Sequence, residues 1–144
     1  MSVVLTVDGL ITLAGEDVVL IRRAKPPFMD KLVMPGGHVE AEDVSMSVAC
    51  ARELEEEIGF KVDPGTLSLL CVLDHPEADP RPRRRVSLVY TLDLPDRDLY
   101  EQFVAATDAR ELVLRPLMEI TSEEIGFDHF QAILALRRRF AGAS

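Results

Sequence analysis

The apolar positions of this chain alternate between a two-residue and a helical period, and the switches lay out its elements. Val3 to Thr12, rich in Val, Leu, Ile and Thr, predicts a strand. Ala14-Gly15-Glu16-Asp17 predicts a turn and Val18 to Arg22 a returning strand, so the chain opens on a hairpin. Ala24 to Lys31, with Pro26 and Pro27, reads as a loop, and Leu32-Val33-Met34 as a short strand that delivers Pro35-Gly36-Gly37. The segment ending in Ile58 follows a helical wheel of about 100° per residue. Val44, Ala51, Leu54 and Ile58, with Cys50 beside them, form its expected buried stripe. Gly59 stands where a left-handed cap belongs.

The second half repeats the strand period. Asp63-Pro64-Gly65 predicts a turn, Thr66 to Asp74 an apolar strand, and His75 to Arg83 a polar, proline-rich loop. Arg84 to Asp93 is a strand in which Arg85, Ser87 and Val89 alternate with Val86, Leu88 and Tyr90. Leu94 to Asp108 is irregular or partly helical, and Glu111 to Pro116 a last short strand. Asp128 to Phe140 is an amphipathic helix with Phe130, Ile133, Leu134 and Leu136 as its apolar side. Strands, a helix, strands and a final helix make an α+β fold, expected as one domain over residues 1–144.

Composition narrows the classes. A formal net charge of −9 argues against binding a nucleic acid backbone and suits a chain offset by bound cations. No apolar run is long enough to span a bilayer, and Met1-Ser-Val-Val-Leu lacks the basic start of a signal peptide. The cytoplasm, with no membrane partner, is therefore expected. Cys50 and Cys71 sit among apolar residues and are expected as reduced thiols. Arg137-Arg138-Arg139 reads as a solvated run that complements a helix dipole. Monomer and homodimer are both left open.

The candidate chemistry lies in Arg52-Glu53-Leu54-Glu55-Glu56-Glu57-Ile58-Gly59-Phe60. Glu53, Glu56 and Glu57 share one helix face, and Glu55 points elsewhere. Three like charges so placed repel unless neutralised. Clustered carboxylate oxygens suit a hard divalent ion, Mg²⁺ with Mn²⁺ as the alternative. A solvated acidic face is the plain alternative. Gly36-Gly37 ahead of the helix, and Arg52 beside Glu53, favour the metal site.

The stretch Pro35 to Phe60 resembles the box that marks the Nudix hydrolase family, G-x5-E-x7-R-E-U-x-E-E-x-G-U with U a bulky apolar residue. The second half matches at every specified position from Arg52 to Phe60. The first half departs: counted from Gly37 the acidic position falls on Asp43, with eight residues before Arg52, so Asp43 or Glu42 takes that role. The resemblance implies an α/β/α sandwich with a mixed sheet. It also implies metal-dependent hydrolysis of a nucleoside diphosphate linked to another moiety. Metal would be held by Glu53, Glu56 and Glu57 with the Gly37 carbonyl. The catalytic residues would be Glu53, as water-orienting base, Glu56, and Arg52, which positions its glutamate neighbours. A fourth carboxylate is open among Glu101, Glu111, Glu77 and Asp74.

The substrate is carried by weaker matches. Asp79-Pro80-Arg81 ahead of Arg85-Val-Ser-Leu-Val-Tyr90, and Phe127-Asp128-His129 ahead of the last helix, resemble segments of ADP-ribose pyrophosphatases. They imply ADP-ribose as substrate, with Arg22, Phe28, Gly36 and Arg81 at the nucleotide. Phe28 reads equally as part of an ordinary exposed loop, and His129 as a structural residue at a helix start. A nucleoside triphosphatase and a non-catalytic nucleotide sensor are the rival readings.

Overall fold

The computed structural model describes residues 2–105 and 111–142. Its order is β1 (Val3–Leu13), β2 (Asp17–Arg22), β3 (Leu32–Val33), β4 (Gly36–His38), α1 (Met46–Ile58), β5 (Ser68–Leu73), β6 (Arg84–Leu94), β7 (Glu111–Pro116) and α2 (Phe130–Gly142), with short 3-10 turns between. The strands join in one mixed sheet, β3-β2-β1-β6-β5, with β4 also on β1 and β7 on β2. β1 runs parallel to β6 over its whole length and antiparallel to β2.

A helix covers each face. Because strand side chains alternate, β2 gives Val19 and Ile21 to the layer beneath α1 and Val18 and Leu20 to the layer beneath α2. β1 divides in the same way, with Val7, Ile11 and Leu13 toward α1 and Leu10 toward α2. That explains its nearly unbroken apolar run: a strand buried on both faces has no polar side to show. Leu54 and Ile58 of α1, and Ile133 and Leu136 of α2, are fully buried against these layers. The α/β/α sandwich is therefore present.

Several boundaries differ for physical reasons. Val44 precedes the helix, which starts after the N-cap Ser45, and it is 86% exposed; Ala49 and Cys50 complete the stripe instead. Gly59 caps α1 at φ 68°, as expected. In α2 the buried face is Ala132, Ile133 and Leu136, while Leu134 is half-buried. Gly36 and Gly37 form strand β4, paired with Asp8 and Val7 of β1. Residues 94–105 hold a 3-10 stretch, Arg97–Gln102, and the end of that expected irregular segment lies outside the described residues.

Arg137 is no solvated charge. Its guanidinium donates to the Leu117 carbonyl at 3.0 and 2.8 Å and to that of Ile120 at 2.6 Å, tying α2 to the loop after β7. Both cysteines are free, and burial pushes the Cys50 thiol up to about 12.

That same loop carries an acid-sensitive joint. Arg115 holds Glu124 at 2.7 Å, and Glu124 also accepts from the Thr121 amide. These bonds, the arginine's first, lower the Glu124 carboxyl to about 2. A carboxyl depressed by folding stabilises above its ordinary value of 4.5 and loses that contribution as pH falls toward 2. Wild type is therefore expected to lose roughly 1–3 kcal/mol more than Glu124→Gln between pH 5 and pH 2.5 in urea denaturation, allowing for solvent screening. Parallel pH profiles for the two proteins would refute the assignment.

Candidate active site

Glu53 is held in place by its neighbours in sequence. Leu54 anchors α1 under the sheet, and the preceding position then faces β4. Glu53 is 8% exposed, with its carboxylate against the backbone of Gly37. A methyl group on Gly37 would come within 2.5 Å of its Cδ and 2.7 Å of its Oε1. Burial raises the Glu53 carboxyl, the Arg52 hydrogen bond opposes that, and the charge of Glu56 adds to it.

Arg52 ties the helix to the loop ahead of it. It donates to Asp43 through two nitrogens, at 3.0 and 2.9 Å, to the His38 carbonyl at 3.0 Å, to Glu53 at 2.9 Å and to Glu56 at 3.3 Å. Of Asp43 and the exposed Glu42 it is thus Asp43 that bonds Arg52, with Glu40 of the same loop 3.6 Å away. The arginine holds Asp43 below the usual carboxylate range.

A cleft of about 410 Å³ opens beside this helix, within the range of small-molecule sites. Its acidic wall is Glu53, Glu57 and Glu40. The same cleft is lined by the cations Arg23, Lys25, Arg81, Arg83 and Arg85 and by Phe127. The guanidinium of Arg23 lies 5.1 Å, and that of Arg81 5.6 Å, from the Phe127 ring centre. Asp79 braces two of these cations, accepting from Arg81 at 2.6 Å and lying 3.0 Å from Arg85 Nε. That last contact is off the hydrogen-bond direction, so the buried Nε of Arg85 has no hydrogen-bond partner among the described residues.

The floor is polar. Asp8, Ser87 and His129 are all buried and line the cleft. Ser87 donates to Asp8, and the Met34 amide donates to His129 Nδ1 at 3.1 Å. Burial raises the Asp8 carboxyl, against the pull of His129 and Ser87.

Two expected substrate contacts lie outside the cleft lining. Arg22 is absent from the cleft lining: it bonds to Glu111 and to the Asp30 carbonyl, because strand alternation sends its neighbour Arg23 inward. Phe28 does not line the cleft either; it packs behind Phe127, with ring centres 4.8 Å apart. Gly36 and Arg81 do line it. Asp74, Glu77, Glu101 and Glu111 are outside the lining, and Asp8, Glu40, Asp79 and Asp128 are the further carboxylates within it. Asp8 had a sequence signal, a carboxylate inside an apolar strand. Phe127 had only its place in a weakly matching segment.

The helix face divides. Glu53 and Glu57 reach the cleft, whereas Glu56 turns to Arg52. Among the described residues no three His, Cys, Asp or Glu side chains gather as a ready-made metal site. The donors still fit a hard divalent ion. They are carboxylates, and Gly37 leaves the space in which the Glu53 carboxylate is seated. Such ions commonly take few protein ligands and complete their shell with water and phosphate oxygens.

Residues 4–136 match the NUDIX domain family. The chain belongs to that family. It is 34% identical over 127 residues to the ADP-ribose pyrophosphatase of Methanocaldococcus jannaschii, an alignment covering 88% of this chain and 69% of the relative. As a Nudix pyrophosphohydrolase it belongs with enzymes that generally use a divalent metal. Its fold is that of the NUDIX domain of Shewanella oneidensis NrtR, solved with ADP ribose: TM-score 0.80, 24% identity, 97% of this chain and 90% of that one covered. A MutT/nudix family protein of Enterococcus faecalis gives a TM-score of 0.77 at 22% identity over 99% of this chain, which spans 63% of that structure's length. Among the described residues no helix is long and apolar enough to cross a membrane.

Proposed function

We propose that this Nudix enzyme hydrolyses ADP-ribose to AMP and ribose 5-phosphate with Mg²⁺, or Mn²⁺ in its place. The observation that carries the reading is that the carboxylates Glu53 and Glu57 and the cations Arg81 and Arg85 line one cleft. Cations facing the same cleft as the acidic helix suit a diphosphate whose charge a metal only partly offsets. Phe127 lines the cleft with Arg23 and Arg81 over its ring, an aromatic and guanidinium surface that suits a base. The names of the archaeal relative and of the NrtR ligand support ADP-ribose.

Glu53 and Glu57, with Glu56 beside them and the Gly37 carbonyl, would hold the metal. When bound, the ion neutralises phosphoryl charge and makes water a better nucleophile. Glu53, raised by burial, takes the proton of the attacking water. Arg52 keeps Glu53 aimed by bonding its Oε1. Arg81 and Arg85 orient the diphosphate, with Asp79 bracing both.

A panel of ADP-ribose, NADH and nucleoside triphosphates, with products resolved by chromatography, tests the reading. ADP-ribose is expected to give AMP, to stall with a chelator and to resume with Mg²⁺ or Mn²⁺. A much higher kcat/KM for a triphosphate, releasing pyrophosphate, would replace this reading with a triphosphatase. Tight ADP-ribose binding without turnover would favour a non-catalytic nucleotide sensor. Arg81→Ala is expected to raise KM about five- to thirty-fold, equivalent to roughly 1–2 kcal/mol for a partly exposed charged bond, with kcat little changed.

A further inference from the structure

Met34 and Pro35 are the two residues between β3 and β4, and they carry the chain onto the glycine lip that seats Glu53. Pro35 has no amide proton to give. Two hydrogen bonds hold this joint. The Gly9 amide donates to the Pro35 carbonyl at 2.9 Å, and the Met34 amide donates to His129 Nδ1 at 3.1 Å. The second reaches across 95 positions of sequence to the residue just ahead of α2.

An imidazole nitrogen that accepts carries no proton, so the neutral His129 ring has its proton on Nε2. That atom lies 3.6 Å from Asp8 Oδ2, an electrostatic contact longer than a hydrogen bond. The Asp8 carboxylate is fixed in turn by the Ser87 hydroxyl, and its Oδ1 occupies space that a side chain on Gly36 would need. Serine, aspartate and histidine thus form a buried line from β6 through β1 to α2. It ends on a backbone amide three residues before Gly37.

We propose that His129 is a positioning residue for the hydrolysis: through Met34 it fixes the Pro35-Gly36-Gly37 lip, and so the carboxylate of Glu53, while Asp8 selects its tautomer. The proposal rests on the hydrolase reading above. The polar neighbours of His129 are the Met34 amide and Asp8, so it acts on Glu53 through the backbone. Its contribution is the rigidity of the wall that Glu53 leans on, which is the kind of supporting contact whose loss costs roughly 10–100-fold in activity.

Three substitutions separate this role from plain packing. Asparagine places an amide oxygen near the position of Nδ1 and keeps the acceptor for Met34. Glutamine reaches toward the Nε2 position and faces Asp8 but not Met34. Alanine supplies neither. His129→Gln and His129→Ala are expected to lower kcat roughly 10–100-fold with KM for ADP-ribose little moved, and His129→Asn to restore most of kcat. Hydrogen exchange of the Met34 amide, followed without metal or substrate, should quicken at least about tenfold in the Gln and Ala variants and stay slow in Asn. The Asn and Gln pair keeps the test available should alanine fail to fold. Activities of Asn and Gln variants that fall together, in step with their melting temperatures, overturn the proposal. So does Met34 exchange unchanged in Gln. A wild-type protein that hydrolyses none of the nucleotides overturns the hydrolase reading, and the exchange arm then still decides whether His129 holds Met34.

Discussion

Glu53→Gln is expected to lower kcat for ADP-ribose by roughly 10²–10⁴-fold and to leave the fold intact. Glutamine keeps the shape that fits against Gly37 but cannot accept a proton from water. Two effects on stability oppose each other. The substitution removes a buried carboxylate that repels Glu56, and it weakens the 2.9 Å ion pair with Arg52. The melting temperature should therefore move little, and circular dichroism melts beside steady-state kinetics separate the two quantities. Glu55→Gln is the control, because that side chain is exposed on the other side of the helix. Loss of activity in Glu55→Gln equal to that in Glu53→Gln would show that the helix face is misassigned. A Glu53→Gln enzyme within tenfold of wild type would place the base elsewhere, with Glu57 and Glu40 next in the cleft lining.

What the sequence made legible follows from how locally each feature is determined. The helix around Glu53 was readable because periodicity, a left-handed glycine cap and an eye-catching charge pattern lie within a dozen residues. The parallel pairing of β1 with β6 was not, since its register is set by contacts about 80 residues apart. Phe28 and Arg22 fall outside the cleft lining for a related reason. Residues on the proper segments were identified, but the choice between neighbours depends on which face a strand end or a loop turns inward. Arg23 and Phe127 won those positions, and Phe28 became the support behind Phe127. Arg137 was misread because a carbonyl partner leaves no mark on sequence: Leu117 and Ile120 are apolar by name and accept through their backbone. The polar floor was half-visible. Asp8 is anomalous in its strand, but its partners Ser87 and His129 come from two other elements.

The two adjacent glycines of β4 look interchangeable in sequence, yet their substitution is expected to fail in different ways. A methyl group on Gly36 would overlap the Val7 carbonyl oxygen and come within 2.9 Å of the Asp8 Cα, both backbone atoms of a central strand. Neither can yield without breaking the β1–β4 pairing, so Gly36→Ala should cost about 3 kcal/mol or more and appear mainly as a lower melting temperature. The nearest atoms a methyl group on Gly37 meets are those at the carboxylate end of Glu53. That end can swing aside, so Gly37→Ala should lose little stability and most of the activity, on the order of 10²-fold in kcat, because a base moved by about 1 Å no longer meets its water. The double variant Gly37→Ala/Glu53→Gln provides the decisive measurement. If Gly37 acts by seating the Glu53 carboxylate, adding the methyl group to a protein that has already lost that carboxylate should cost almost nothing further in kcat. Additive losses would mean that the Gly37 backbone contributes on its own account, as the carbonyl ligand to the metal would. A weaker metal-induced rise in melting temperature in Gly37→Ala alone would then identify that contribution.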